Sequence, residues 1–335
     1  MDVPLEFLNA KLKGRRTRVY EGDRLRELAQ CTSLTELCGR LYPREPAMER
    51  LALERRLRRD CVSELASFTR YLDPSLGVFY LALLRRFQVE NIVVLLRLFA
   101  GGGERPSPEQ YLTELPPAFA VSAGNLMASQ NVAEFLQKLP TDLAGAGSEV
   151  LYLDELRRTT AFVEMAFWRA YWDGVVRAAD VLGAEEQTAC AGPVVCEIAS
   201  ARMLAVLRAA RSYKLGWEEL EPLLPRWSAP GMASGVRVSE AGLGQLFSDP
   251  SPARVAKTVR GVSPQEAESL VDLEAALWRK TWRGANRLFY SEMDGPGVVV
   301  AYFYVRLNEL RNLTSLVEAI HYGGQAHSGQ PSSFV

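Results

Sequence analysis

The chain has 335 residues, of which 48% are apolar and 24% charged, a balance that fits two or three domains or one large repeat assembly. Its net charge of −1 provides no overall field to attract nucleic acid. The longest uncharged apolar stretch, residues 297–305, is far shorter than the ~20 residues that cross a bilayer, and Arg97 interrupts the other candidate. We therefore expect a soluble protein with no direct membrane span, which can still belong to a membrane complex.

The first part of the chain predicts a series of helices. Residues 5–30 have helical character with a turn around 21–23, and Ser33 has the position of a helix cap before residues 34–41. A longer helix is expected over 51–70. Asp73–Pro74 then begins an apolar helical segment that ends at the glycines 101–103.

A basic run marks the first of these helices. Five basic residues lie within eight positions without an acid among them: Lys11, Lys13, Arg15, Arg16 and Arg18. Such a run can bind nucleic acid, anionic lipid or an acidic partner. It has no interleaved aromatic residues and the chain is not basic overall, which favours a solvated or partner-facing side of a helix.

Two further helical units follow, each separated from the preceding one by a break rich in proline. The second unit, after the linker 104–117, has a short helix at 131–139, a long helix at 152–180 and a closing helix at 197–213. The third unit, after the break 221–239, has a short helix at 252–262, a long helix at 264–290 and a closing helix at 298–324. The sequence thus predicts an all-α protein of three units, 1–103, 104–220 and 221–324, with a polar, disordered tail at 325–335.

An internal repeat supports this division. A shift of 221 positions places residues 77–103 on 298–324, with both segments ending at a glycine pair. The shift aligns Arg85 with Arg306, Asn91 with Asn312 and Leu95 with Leu316. Asn91 and Asn312 each lie on the apolar stripe of their helix, so each amide needs partners on a neighbouring helix once that stripe is packed. A structural hydrogen bond is the favoured interpretation, and a place in a functional site is the alternative.

A second register relates the middle and last units. Trp168 and Trp172 precede Trp278 and Trp282 by 110 positions, and each pair has the i, i+4 spacing of one helix face. Aromatic pairs of this kind stack on a ligand in some proteins, but they more commonly fill a core. We therefore predict that both pairs belong to the hydrophobic core.

Motifs that carry chemistry are absent from the sequence. There is no phosphate-binding GxxxxGK[ST] loop, and the two histidines, His321 and His327, lie in no recognisable catalytic setting. The five cysteines lack the spacing of a zinc site, and with no signal peptide they are expected to be reduced thiols. We expect no catalytic residue, no cofactor and no metal, although a carboxylate pair or His321 remains a formal alternative for an enzyme.

Several phrases together resemble a known family. They are LNAKLKGRR near the N-terminus, the short helix SLTELCGRLYP, the segment VENIVVLLR and the closing NELRNLTSLVEAIHYG. In this order they resemble the family of C subunits of archaeal-type and bacterial V-type ATPases, which is related to the d subunit of the eukaryotic V-ATPase. The resemblance covers the chain to about residue 324. Arg202 at the asparagine position of the middle unit, and Glu318 at the position of Arg97, depart from the pattern.

The resemblance implies a fold and a role. The fold is a funnel of three helical units related by pseudo-threefold symmetry, and the role is that of a non-catalytic rotor subunit that couples the central shaft to the membrane rotor ring. The implied partners are the shaft subunits and the ring proteolipid, with one copy in each complex, a monomer when isolated, and a location on the cytoplasmic face of the membrane. An all-helical adaptor with unrelated partners is the alternative. Neither the transported ion, H⁺ or Na⁺, nor the direction, synthesis or pumping, follows from the sequence.

Overall fold

A computed structural model describes residues 5–101, 107–213, 215–225, 240–248, 250–259, 262–263, 265 and 268–323. The protein is 77% helical and has no strand in the described residues, which confirms the predicted all-α class. The helices of the N-terminal part are α1 (Leu5–Arg16), α2 (Gly22–Leu28), α3 (Leu34–Leu41), α4 (Arg50–Ala66), α5 (Pro74–Leu84) and α6 (Arg86–Ala100). The middle part contains α7 (Ala123–Met127), α8 (Val132–Gln137), α9 (Thr141–Arg157), α10 (Ala161–Ala179), α11 (Ala184–Arg208) and α12 (Trp217–Leu220). The last part contains α13 (Glu240–Ser248), α14 (Pro252–Thr258), α15 (Leu270–Ser291) and α16 (Gly297–His321).

Local capping explains where two of the N-terminal helices, α3 and α5, begin. The Ser33 side chain accepts the backbone N–H of Glu36, as predicted for a cap of α3. The Asp73 carboxylate accepts the backbone N–H groups of the first turn of α5, and Pro74 occupies the first helical position. Both starts follow from residues within one helical turn, which is why the sequence predicts them.

The apolar segment 77–103 forms two helices where one was expected. Arg85 separates α5 from α6, but its backbone remains in the right-handed helical region, and the N–H of Val89 still bonds to the Arg85 carbonyl. The interruption is therefore a local tightening, and the apolar face continues across it. The equivalent segment at the other end of the chain is the single helix α16.

The prediction of one long helix over 152–180 is wrong, because two helices share this segment. The chain turns at Arg158, which has a left-handed backbone with φ of 54°, so that α9 ends and α10 begins at Ala161. Asp154 stabilises the new start, because its carboxylate accepts the backbone N–H groups of Phe162 and Val163. The turn allows α9 and α10 to pack closely against each other.

The other boundaries shift by smaller amounts. The closing helix of the middle part begins at Ala184 instead of 197, because Pro193 is accommodated inside the helix, and a π-helical turn, Ala209–Tyr213, follows α11. The long helix expected from 264 begins at Leu270. Most of the break expected at 221–239, part of the linker 104–117 and the whole tail 325–335 lie outside the described residues.

One helix of the described chain has the length and hydropathy of a membrane span. It is the segment Ala184–Tyr213, with a mean hydropathy of 1.6 in its most apolar window, and the sequence interpretation overlooked it. Within the fold, 78% of that window is buried against other helices. Its apolar character is thus accounted for by packing in the core of this protein.

The buried apolar residues form two clusters. The larger cluster, which we call the body core, includes residues of every unit, among them Trp172, which is 2% exposed. Trp168 and Trp278 are partly buried and pack against this core, which confirms the prediction for three of the four tryptophans, while Trp282 is partly buried but belongs to neither cluster. The smaller cluster, the cap core, joins α2 and α3 to the first half of α4 and the last part of α16.

Contacts between distant parts of the chain bring its two ends together. Helix α10 packs on α5 and α6, α11 packs on α15 and α16, and α16 packs on α4 and α1. The N-terminal part thus contacts the middle part through α10 and the C-terminal part through α16. Both α4 and α16 extend from the body core into the cap core.

Candidate functional site

The two lysines of the basic run contact other parts of the chain. The Lys11 ammonium donates a hydrogen bond to the Tyr71 hydroxyl at 2.9 Å, and this bond lowers the pKa of the Tyr71 phenol. The Lys13 ammonium donates to the carbonyl of Met293 at 2.9 Å. Both lysines remain half-buried, so they hold α1 against its neighbours and keep part of their surface in water.

The three arginines of the run differ in their surroundings. Arg15 forms an ion pair of 2.7 Å with Glu64 of α4. Arg16 is buried, 6% exposed, and its guanidinium donates to the Asn286 side chain of α15. Arg18 is exposed. The run is therefore not one continuous cationic surface, and Arg18 is the member best placed to meet a partner.

A chain of charged side chains connects α1, α4 and α16. Glu64 accepts hydrogen bonds from Arg15 and from the Tyr302 hydroxyl, and it forms a 3.0 Å ion pair with Arg306. Arg306 also pairs with Glu309, one helical turn further along α16. We call these five residues, Arg15, Glu64, Tyr302, Arg306 and Glu309, the charged seam. On α16 the seam lies beside the point where the helix passes from the body core, at Leu307, to the cap core, at Leu313.

A cleft of about 280 Å³ opens beside the seam. Its walls include Tyr42, Asp60 and Cys61 in addition to seam residues. The Cys61 thiol is 2% exposed and donates to the carbonyl of Arg306, and burial raises its pKa to about 11. A thiol with this pKa is protonated at neutral pH and is a poor nucleophile. The cleft offers paired charges and no activated group.

A second buried ion pair connects α6 with α11. The Arg86 guanidinium lies 2.5 Å from Glu197 and 2.9 Å from Glu90 of its own helix, and it stacks over the Trp168 ring at 5.5 Å. Only about a tenth of the Glu197 side chain is exposed. Because a buried charge without a partner is costly, this pair fixes how α6, α10 and α11 fit together.

The two repeat asparagines are both buried. Asn91 and Asn312 are each 5% exposed. The Asn91 amide donates to the carbonyl of Thr113 at 2.7 Å and accepts the N–H of the same residue at 2.9 Å. Its partner is therefore the backbone of a connecting segment, where the sequence suggested a neighbouring helix. Asn312 also has a polar contact.

Groups suited to catalysis or metal binding are not assembled in the described part of the chain. No three His, Cys, Asp or Glu side chains there are placed to hold a metal ion. His321 ends α16, and its ring contacts Tyr322 at 4.9 Å. The five cysteines are buried free thiols. The charged groups described above pair with one another, so their chemistry here is structural.

Sequence reasoning missed the charged seam. Arg306 was visible as the counterpart of Arg85, and Glu309 follows it with the i, i+3 spacing of an ion pair on one helix face. Glu64 carries no comparable signal, because it lies near the other end of the sequence and reaches Arg306 only in the folded chain.

Comparison with known families completes this description. A family model described as ATP synthase (C/AC39) subunit matches residues 8–328, nearly the whole chain. No curated protein matches the chain. A match of this length shows that the chain belongs to the ATP synthase (C/AC39) subunit family, which confirms the resemblance. The family comprises non-catalytic subunits of a V-type rotary ATPase, a membrane-associated machine.

Proposed function

We propose that this member of the ATP synthase (C/AC39) subunit family is a central-rotor subunit that couples the shaft of a rotary ATPase to its membrane ring. The observation that carries the proposal is the family match over residues 8–328. In this role the chain is a single-copy, peripheral subunit on the cytoplasmic face of the membrane. Its three helical units form the funnel that receives the shaft, and the ring proteolipid lies on the other side.

Ion pairs between the units support a mechanical role, two of them shielded from water and one, Arg208 with Glu274, at the surface. Ion pairs join helices of all three units in pairs: Arg86 with Glu197 for the first and second, Arg208 with Glu274 for the second and third, and Arg306 with Glu64 for the third and first. Contacts that close a circuit of this kind resist relative displacement of the units. A subunit that transmits torque requires such stiffness and two interfaces, and it requires no active site.

The first test is a pull-down of the tagged chain from source membranes in mild detergent, with the retained proteins identified by mass. We expect the nucleotide-binding head subunits, the shaft subunits and the ring proteolipid to be recovered together. Recovery of none of them from membranes whose ATPase is intact would contradict the proposal. It would favour a helical adaptor with other partners.

Two substitutions in the basic run distinguish an effect on association with partners from an effect on folding. Arg18→Glu changes an exposed charge, so stability should change by less than about 0.5 kcal/mol, while binding to the shaft or ring weakens at low salt. Arg16→Glu is the contrasting variant. It places a carboxylate where a buried guanidinium lies beside Glu21, and it should cost about 3 kcal/mol of folding stability. If Arg18→Glu binds the shaft and the ring as tightly as the wild-type chain at every salt concentration, the basic run is not part of the interface.

A further inference from the structure

The described chain has two apolar cores of unequal size that meet beside the charged seam. The cap core contains ten buried residues, contributed by α2, α3, α4 and α16 and the connections beside them. On α4, Leu57 belongs to the cap core and Cys61 and Val62 belong to the body core, while the Glu64 carboxylate takes part in the charged seam. On α16, Leu307 and Leu313 are divided in the same way. The two cores share α4 and α16, and they meet at Leu310, which packs against both, with the charged seam beside it.

Helices α2 and α3, with the turn between them, form a small unit that we call the cap, residues 22–41. Its helices have seven and eight residues, too few for an isolated helix to be stable in water. Their stability therefore depends on the packing of Leu25, Leu28 and Leu37 against α4 and α16. Small packed units of this kind open at lower free energy than the core of the same protein.

Glu309 connects the entrance of the cap to α16. One carboxylate oxygen accepts the backbone N–H of Tyr20 at 2.6 Å, and the other pairs with Arg306. Only 4% of Glu309 is exposed, so both bonds are shielded from water. Tyr20 lies just before the cap, and its backbone bond to Glu309 spans 289 positions of the sequence. This one side chain thus ties the start of the cap to the charged seam.

We propose that Glu309 is a latch and that the cap opens as a unit at the charged seam while the body stays folded. When the latch is released, Leu313, Leu316 and Val317 of α16 lose the apolar cover that α2 and α3 provide. The cleft of about 280 Å³ beside the seam is lined by both partners of the latch, Tyr20 and Glu309, and by Leu41 at the end of the cap. This device does not depend on the proposed coupling role.

Native-state hydrogen exchange tests the latch. In the wild-type chain, the amides of α2 and α3 should exchange through an opening that is more frequent than that of residues 76–96 of the body. Glu309→Gln keeps an acceptor for Tyr20 and removes the charge that pairs with Arg306. It should accelerate exchange in the cap about tenfold, the equivalent of ~1.4 kcal/mol, and leave the body unchanged.

Glu318→Gln is the matched control on the same helix. Glu318 is mostly exposed and lies 3.7 Å from Arg50, so its loss should leave exchange in the cap as it is in the wild type. Equal exchange of cap and body in the wild-type chain would overturn the proposal without any variant. An acceleration in the Glu309 variant that is the same in both regions would overturn it as well, because it would show global destabilisation.

Discussion

Residues 77–103 and 298–324 occupy equivalent positions of the repeat, yet the first folds as α5 and α6 and the second as the single helix α16. Leu95 and Leu316 are aligned by the repeat, and both are completely buried. They lie in different cores, since Leu95 belongs to the body core and Leu316 to the cap core. Burial agrees at Leu95 and Leu316 but not along the whole alignment, since Val78 and Leu81 are exposed while Val299 and Tyr302 are buried.

The aligned arginines show the divergence most clearly. Arg85 forms a two-bond ion pair with Asp142 of α9, at 2.5 and 2.7 Å, and both side chains keep about a quarter to a third of their surface exposed. Arg306 lies deeper and joins Glu64 to Glu309. Equivalent residues therefore connect α5–α6 to the middle unit in one case and α16 to the N-terminal unit in the other.

Replacing each arginine in turn measures how much each ion pair stabilises the fold. We expect the largest changes in folding stability from these two substitutions. Arg306→Met leaves Glu64 and Glu309 without their common cation in a shielded position, and it should lower the free energy of unfolding by about 3 kcal/mol. Arg85→Met leaves the Asp142 carboxylate without its cation, but this carboxylate is less buried, so the free energy of unfolding should fall by only about 1 kcal/mol. Denaturant unfolding curves give both values. Equal losses would show that the seam is no more shielded than the Asp142 pair.

The aligned asparagines provide an intermediate effect. Asn91→Leu removes both partners of the Thr113 backbone, and it should cost about 2 kcal/mol because two buried groups are left unpaired. Asn312→Leu should cost about 1–3 kcal/mol for the same reason. If either substitution leaves the thermal unfolding curve unchanged, the asparagine amide at that position is hydrogen-bonded to water in the folded as well as the unfolded protein.

The smallest effect concerns pH. Burial alone would raise the pKa of the Asp142 carboxyl, but the hydrogen bonds and charge of Arg85 outweigh burial and hold the pKa below its ordinary value. A carboxyl with a lowered pKa stabilises the fold above the unfolded pKa of about 4, and this contribution disappears as the pH falls through the folded pKa. The difference in stability between the wild-type chain and Asp142→Asn should therefore be present at pH 7 and shrink below about pH 4.

Unfolding measured at neutral pH and at about pH 3 checks this expectation. Glu185→Gln removes an exposed carboxylate and serves as the control, for which the difference from wild type should stay near zero at both pH values. A difference for Asp142→Asn that grows on acidification would mean that Arg85 does not stabilise the ionised form.

The same contrast explains how much of the fold and of the charged sites could be predicted. The starts of α3 and α5 follow from Ser33 and Asp73, because a cap acts on N–H groups within its own turn. The left-handed turn at Arg158 and the passage of α11 through Pro193 were missed. The start of α10 after Arg158 has a local signal that sequence reasoning missed, since Asp154 accepts the N–H groups of Phe162 and Val163. Pro193 lies in a helix that is mostly buried against others, and that packing overrides the local preference of proline to end a helix.

The sequence by itself determined the helical class and the family, since periodicity, caps and motif phrases are all contained in the order of residues, but it did not reveal that Arg16 and Glu309 are buried. It also showed that Arg85 corresponds to Arg306 and Asn91 to Asn312. Only the tertiary structure decided their partners. The backbone of Thr113 lies 22 positions from Asn91, Asp142 lies 57 positions from Arg85, and Glu64 meets Arg306 from near the opposite end of the chain. An ion pair or hydrogen bond requires atoms within about 3 Å of each other, and distances of that kind are set by how the helices pack.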